Sequence, residues 1–332
     1  MTPKDGYRAS LHWRTVFALA LIWTSSQAAP LRGPTHVHAA VFAGMDDGTR
    51  NRFLETETPM LGATLTVNPD FPLDESAISG IAIDSTNSVH QSGVLITPRH
   101  YVAADHNGSS APWFRGSDGV IREYQTTGSI RLTTDYFLDG MPMTGNSDIR
   151  IWTLDDSAPL PGDHGVQPMP ILTGPPAAFL DRELFVSDQF NRFGRNLIDD
   201  VALSTFTETD DVPNQPTNAI FYDYDSLASG NGVGSDEIYL SSGDSGNAAI
   251  AVVDGSVALV GNHFGIITDT SPPISVSTWL SPYVAQINEY TSSQAGGYTV
   301  STIVVVPEPS SAFALGSFAI GAALHRRKRR PL

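Results

Sequence analysis

The sequence predicts an all-β fold, and three observations support this prediction. Short runs rich in Val, Ile, Thr and Tyr recur between clusters of Gly, Pro, Asn and Asp, which is the pattern of strands joined by turns. Few segments show the 3.6-residue apolar period of a long helix. Between two unusual ends, residues 30–300 provide about 271 positions, which is ample for a sizeable core.

A candidate nucleophile lies in residues 243–246, Gly-Asp-Ser-Gly, between a polar loop and an apolar run that predicts a strand. Glycines let the backbone turn tightly and direct two N–H groups at one point, as a developing oxyanion requires. Ser245 is therefore the candidate nucleophile, and the N–H groups of Gly243 and Ser245 are the candidate oxyanion hole. Because Gly, Asp and Ser also build ordinary turns, the motif needs partners elsewhere in the chain.

A histidine and an acid lie upstream in suitable settings. His106 follows two short apolar runs, residues 94–96 and 101–104, that predict strands around a turn. His90 and His100 compete with it, and we expect His100 to be a surface residue of that turn. Asp148 lies at the start of a predicted strand and is the candidate acid, although its role could simply be to cap or start that strand. The order His, Asp, Ser is one known arrangement of a catalytic triad.

These three motifs resemble those of the chymotrypsin-fold (trypsin-like) serine proteases. Residues 102–106, Val-Ala-Ala-Asp-His, resemble the family's "TAAH", residues 147–151 its "DIAL" strand, residues 243–246 its "GDSGGP", and residues 257–265 its "VGIVSWG"-like strand. The resemblance spans roughly residues 81–287. The chain departs from it at Asp105, which replaces an alanine, at Asn247, which replaces a glycine, and in having no cysteine.

The resemblance implies two packed six-stranded antiparallel β-barrels, at about 75–160 and 165–290, closed by a short C-terminal helix at residues 281–290. It also implies acyl transfer without a metal or cofactor, with His106 as the base and Asp148 holding its imidazole. Tyr239, at the family's pocket floor, argues against cleavage after Lys or Arg. His263 resembles a histidine of glutamate-specific bacterial relatives, although it could equally be a hydrogen-bonded wall residue.

The ends of the chain predict export and sorting. Residues 1–29 combine basic residues, a short apolar run and a small-residue cleavage site, which is typical of a secretory signal peptide. Residues 30–74 are a propeptide or an N-terminal extension, and residues 291–303 a flexible linker. Residues 304–332 resemble a PEP-CTERM sorting signal, with Pro307, Glu308 and Pro309 before an apolar segment and a basic tail. This resemblance implies an exosortase-type partner, a transient membrane anchor and the surface of a Gram-negative-type bacterium.

Charge excludes one class of partner. Without residues 1–29 and 301–332, the chain keeps 11 basic and 33 acidic residues, a net charge of −22. Such a body repels nucleic acid. The acidic run at residues 207–211 could bind calcium, although its spacing does not support a ligand set. Three functions stay open, namely a serine endopeptidase acting on proteins or peptides, an impaired protease-fold protein that binds matrix partners, and an esterase with the same triad.

Overall fold

The computed structural model describes residues 40–44, 48–84, 92–107, 111–206, 215–227, 230, 232–268 and 270–307. The predicted signal peptide, His90, the acidic run at residues 207–211, and Glu308 and Pro309 lie outside these ranges. Within them, no helix is long and apolar enough to cross a membrane. The predicted apolar anchor at residues 312–324 is also outside the described residues.

The N-terminal half of the described chain builds a four-stranded antiparallel sheet in the order β2-β3-β7-β6 and a separate β4-β5 pair. A short helix, α1 (Glu75–Ile78), precedes it and is capped by Asp74. The strands are β2 (Val94–Thr97), β3 (His100–Ala103), β4 (Trp113–Arg115), β5 (Ile121–Glu123), β6 (Thr126–Leu138) and β7 (Met141–Leu154).

The C-terminal half builds a nine-stranded sheet in the order β10-β9-β14-β15-β16-β12-β11, with β8 and β17 attached beside β15. A small strand, β1 (Val41–Phe42), pairs with β13 outside this sheet. The strands are β8 (Ile171–Thr173), β9 (Glu183–Ser187), β10 (Phe193–Leu197), β11 (Asp200–Phe206), β12 (Gln215–Asp223), β13 (Ile238–Tyr239), β14 (Ala248–Val253), β15 (Ser256–Ile267), β16 (Ile274–Thr278) and β17 (Thr302–Val304).

This architecture confirms the predicted fold class, an antiparallel all-β protein of chymotrypsin-like half-barrels with one C-terminal helix. The first half contributes the four-stranded sheet and the β4–β5 pair, and the second half contributes the nine-stranded sheet. Backbone hydrogen bonds with residues 62, 63 and 83 attach β4 and β5 to the rest of the first half. Register shifts within β6–β7 and β14–β15 bend the sheets, as β-bulges do.

The C-terminal helix α2 (Val284–Ser293) joins the two halves. Ile287 is fully buried in a core that also contains Ile149 of β7 and Ile250 of β14. The Gln286 side chain accepts the Thr133 N–H at 3.1 Å and donates to the Thr133 carbonyl at 2.8 Å, which attaches the helix to β6. One apolar cluster thus stabilises the strands on both sides of the candidate site.

The segment predicted to be a flexible linker, residues 291–303, is partly ordered in the structure. It contains the end of α2 and most of β17, and β17 pairs in parallel with β8. Val300 and Val305 are buried on either side of this strand. The small polar residues at 292–297 favour a linker, but the apolar run that follows them forms β17, and the buried core includes Val305, two positions before Pro307.

Gly261 on β15 lies where the sheet leaves no room for a side chain. A Cβ atom there would lie 1.6 Å from the Thr278 carbonyl oxygen on β16. Because this neighbour is backbone, we expect Gly261→Ala to lower the free energy of unfolding by about 3 kcal/mol, as overpacked cores do. Urea unfolding measures this loss. Gly162→Ala, with open space around its Cβ, is the control, and equal stability of the two variants would contradict the expectation.

Candidate active site

His106 is delivered to the site by the end of β3. Ala103, the last residue of this strand, pairs with Arg150 of β7, and the chain then forms a single 3-10 turn, Asp105–Asn107. Ala104 is fully buried and anchors the start of that turn. The imidazole consequently lies over β7 at the level of Asp148.

Asp148 holds the imidazole through two contacts. Its Oδ2 lies 2.6 Å from His106 Nδ1, and its Oδ1 accepts the His106 backbone N–H at 3.0 Å. The carboxylate is 4 % exposed, and the Asp148 N–H donates to Thr217 Oγ1 of β12 at 2.9 Å. Because the backbone N–H and the ring Nδ1 of His106 both contact the Asp148 carboxylate, the imidazole has little freedom to rotate.

Ser245 completes the arrangement from the turn before β14. Its Oγ lies 2.8 Å from His106 Nε2. Its carbonyl accepts the Ser92 hydroxyl at 2.7 Å, and the next N–H, of Gly246, donates to the His263 carbonyl at 2.7 Å. Gly246 has a φ of +88°, a backbone conformation that favours glycine. The structure thus brings together the three residues that the sequence singled out.

The three side chains form a continuous chain of hydrogen bonds. When the Nδ1–H group donates a hydrogen bond to the Asp148 carboxylate, the unprotonated Nε2 presents its lone pair to the Ser245 hydroxyl. This tautomer is the one that accepts a proton from the serine. The arrangement can therefore generate a serine nucleophile and stabilise the imidazolium that forms with it.

The candidate oxyanion donors belong to the same turn. Gly243 has a φ of +106°, and a Cβ there would lie 2.7 Å from the amide atoms of Gln189. The Gln189 Nε2 donates to the Ser242 carbonyl at 3.4 Å, which holds the turn from outside. Any side chain at position 243 would collide with Gln189, so this turn requires glycine there.

Asp244 supports this turn from the protein interior. Its carboxyl is fully buried and accepts the N–H groups of Ser241, at 2.7 Å, and Gln189, at 2.9 Å. Burial, followed by the neighbouring charge of Asp188, raises the pKa of Asp244 to about 8. Burial raises the pKa of Asp188 as well, but Asp188 has Arg192 as a counter-ion at 2.6 Å. We therefore assign the proton near neutral pH to Asp244.

This assignment predicts how stability depends on pH. The pKa of Asp244 is higher in the folded protein than in an unfolded chain, where it is about 3.9, so the folded state binds the proton more tightly. Its contribution to stability is complete below pH 4 and is lost as the pH rises towards 8. Asp244→Asn retains the shape of the protonated acid without titrating. We expect urea unfolding to show a smaller fall in stability between pH 4 and 8 for this variant, and parallel curves would contradict the assignment.

Two of the three departures from the resembled motifs, Asp105 and Asn247, are built into buried polar contacts. The Asp105 side chain is 2 % exposed and bonds to two arginines, one of which is Arg150, at 2.6 Å. Asn247 is also buried. With its amide oriented to satisfy its neighbours, it donates to Asp84 Oδ2 at 3.2 Å, and its oxygen, 2.9 Å from the Gln189 nitrogen, shares the Gln189 N–H with Asp244. Both substitutions therefore add anchors around the site.

The candidate pocket residues occupy different environments. His263 of β15 is 2 % exposed. Its backbone N–H donates to the Asn247 carbonyl at 2.8 Å, next to the nucleophile turn. Burial, followed by the charge of His106, lowers the pKa of His263 to about 3, so its ring is neutral. Its Nδ1 has no hydrogen-bond partner within the described part of the chain. Tyr239 pairs with Val41, and its ring lies 6.3 Å from that of Tyr224.

His100 is not the surface residue that its turn-like setting predicted. It is the first residue of β3 and is fully buried, and its Nδ1 lies 2.8 Å from Thr97 Oγ1. Burial, followed by the charge of Arg99, lowers its pKa to about 4. The Thr-Pro-Arg-His turn is folded into the sheet, where Thr97 pairs with His100. His100 is therefore a neutral structural residue.

Several supporting residues could not be found from the sequence. Ser92, Thr217 and Gln189 contact the triad or its turn from positions far away in the chain, and no motif marks them. Within the described ranges, no group of three or more His, Cys, Asp or Glu side chains is placed to hold a metal ion.

No family model matches the chain, and no curated protein matches its sequence. Among solved structures, the chain is similar to kallikrein-related peptidase 10, with a TM-score of 0.41 and 16 % identity over 67 % of this chain and 100 % of that one. It is also similar to the inactive form of the Rv3671c protease, with a TM-score of 0.40 and 12 % identity over 70 % of this chain and 98 % of that one.

Proposed function

We propose that the protein is an exported serine endopeptidase that hydrolyses peptide bonds through an acyl-enzyme intermediate. The single observation that carries this proposal is the unbroken hydrogen-bond chain of Asp148, His106 and Ser245, with 2.6 Å and 2.8 Å between the bonded atoms. A buried acid, an imidazole and a serine hydroxyl in this order form the constellation that activates a serine.

In the proposed reaction, Ser245 Oγ attacks the substrate carbonyl while His106 Nε2 takes the hydroxyl proton. Asp148 stabilises the resulting imidazolium, which then passes the proton to the leaving amine. The N–H groups of Gly243 and Ser245 bind the oxyanion, an interaction of about 2.7–4 kcal/mol per donor in comparable sites. Water then releases the acyl group by the same steps in reverse.

The test is hydrolysis of casein by the purified protein, compared with hydrolysis of small acyl esters. Casein cleavage at internal peptide bonds supports an endopeptidase. Ester cleavage without proteolysis supports an esterase that uses the same triad, and neither activity supports a protease-fold binding protein. Asp118→Asn, which removes an exposed carboxyl bound to Arg122, is the matched control and should behave as the unchanged protein does.

For substrate preference, we propose that Tyr239 and His263 line the pocket for the residue before the scissile bond. The unpartnered Nδ1 of His263, next to Gly246, supports a polar contact there. Because burial keeps this imidazole neutral, a substrate carboxylate must bring the proton or induce its uptake. Comparison of acyl-Glu, acyl-Phe and acyl-Lys substrates decides the matter. Faster cleavage after Phe or Lys than after Glu would exclude the carboxylate proposal.

We further propose that residues 1–29 direct export and that residues 304–332 direct sorting to the surface of a Gram-negative-type bacterium. The tripartite C-terminal pattern, in which Pro307, Glu308 and Pro309 precede an apolar segment and a basic tail, supports this proposal. An exosortase-type enzyme would be the partner, with the membrane as a transient anchor. Cell fractionation with and without residues 308–332 tests the proposal, and unchanged surface display of the shortened protein would contradict it.

A further inference from the structure

Asp105 connects two arginines that would otherwise repel each other. Arg131 of β6 and Arg150 of β7 are directly opposite in the strand register, and like charges in this position destabilise a sheet. The Asp105 carboxylate contacts both, with Oδ1 2.6 Å from Arg150 Nε and Oδ2 against the Arg131 guanidinium. The carboxylate is 2 % exposed, whereas the arginines are about one third exposed or less.

The same carboxylate ties the histidine turn to the strand of the candidate acid. Asp105 and His106 are consecutive in one 3-10 turn, and they contact Arg150 and Asp148, two positions apart on β7. Residues two apart in a strand point to the same face. The turn is therefore attached to one face of β7 at two adjacent points, through Asp105 to Arg150 and through His106 to Asp148. Both pairs join opposite charges when His106 is protonated.

The Arg150 side chain is itself fixed, so it provides a firm attachment. Its Nη1 donates to Ser129 Oγ at 3.0 Å, and its guanidinium carbon lies 5.3 Å from the centre of the Trp152 ring. Trp152 stacks in turn on the buried Tyr101 of β3. A displacement of the histidine turn along β7 in the direction of Asp148 would break the contact with Arg150 and bring Asp105 closer to a like charge.

From this geometry, we propose that Asp105 is a positioning residue that sets His106 in register on Asp148, acting through Arg150 and Arg131. The proposal rests on the proposed hydrolase function. The alanine-to-aspartate departure from the family motif thus replaces a small packing residue by an ionic attachment. Because a displacement of about 1 Å can cost about 100-fold in rate, the loss of this attachment should reduce turnover without affecting substrate binding.

The test compares Asp105→Asn with the unchanged protein in two readouts. The first is the NMR signal of the His106 Nδ1 proton, which the short bond to Asp148 should shift far downfield and which His106→Ala identifies. We expect Asp105→Asn to move or broaden this signal. The second is steady-state hydrolysis, in which we expect kcat to fall about 10- to 100-fold with KM unchanged. An unaltered NMR signal would overturn the proposal, whatever the rates are.

Two further variants keep the test decisive. Asp105→Asn/Arg131→Gln removes one of the uncompensated charges, so it should fold even where the single variant does not, and it should show the same altered signal. Asp118→Asn removes an exposed carboxyl that also pairs with an arginine and should leave signal and kcat unchanged. If the unchanged protein hydrolyses nothing, the proposed function fails, while the NMR signal still decides the role of Asp105.

Discussion

Ser245→Ala is expected to abolish hydrolysis, with a fall in kcat of about 10⁶-fold, as the loss of the nucleophile does in triad hydrolases. The physical reason is that the Oγ atom of this residue, 2.8 Å from His106 Nε2, is the proposed attacking atom, so the proposed acyl-enzyme cannot form without it. Release of dye-labelled peptides from casein measures the effect.

The variant should fold normally, which makes the expected loss specific. The Ser245 carbonyl still accepts the Ser92 hydroxyl, and the Gly246 N–H still donates to His263. We therefore expect the thermal unfolding midpoint to remain close to that of the unchanged protein. Hydrolysis within tenfold of the original rate would show that the nucleophile lies elsewhere.

Asp148→Asn is expected to lower kcat by about 10⁴-fold. An asparagine keeps an oxygen for the His106 backbone N–H but cannot both hold the Nδ1 proton and offset the imidazolium charge. When its amide nitrogen faces Nδ1, the ring takes the other tautomer, and Nε2 then carries a proton towards Ser245 instead of a lone pair. Steady-state rates on the same substrate, with protein folding checked by circular dichroism, measure the loss.

The control for this variant is Asp135→Asn. Asp135 is an exposed carboxylate on the neighbouring strand β6, where it accepts the Thr144 hydroxyl at 2.6 Å. Its replacement changes the charge by the same amount without touching the triad, so its kcat should remain unchanged. Equal losses in the two variants would indicate a general effect of charge and would contradict the role assigned to Asp148.

The sequence predicts those site residues that belong to short local motifs. Ser245 and its glycines form one tight turn, and His106 and Asp148 each follow or open a recognisable strand, so the order of the motifs was enough to select them. Thr217 and Gln189 escaped prediction because their contacts join distant parts of the chain. Sequence alone does not indicate which threonine faces an aspartate across a fold.

The differences between prediction and structure also have physical causes. His100 looked exposed because it follows Pro and Arg, yet the turn closes onto Thr97 inside the sheet. The residues after α2 looked flexible because they are small and polar, yet Val300 and Val305 anchor β17 beside β8. At Asp105, a charge in a small-residue motif is compatible with the fold because two arginines surround it.

Labelling of the purified protein with a fluorophosphonate probe, which reacts covalently with activated serines, tests the proposed triad most directly. We expect labelling of the unchanged protein and no labelling of Ser245→Ala or His106→Ala. This result would establish an activated serine that depends on His106. Labelling that persists in Ser245→Ala, or its absence from the folded, unchanged protein, would contradict the proposed triad.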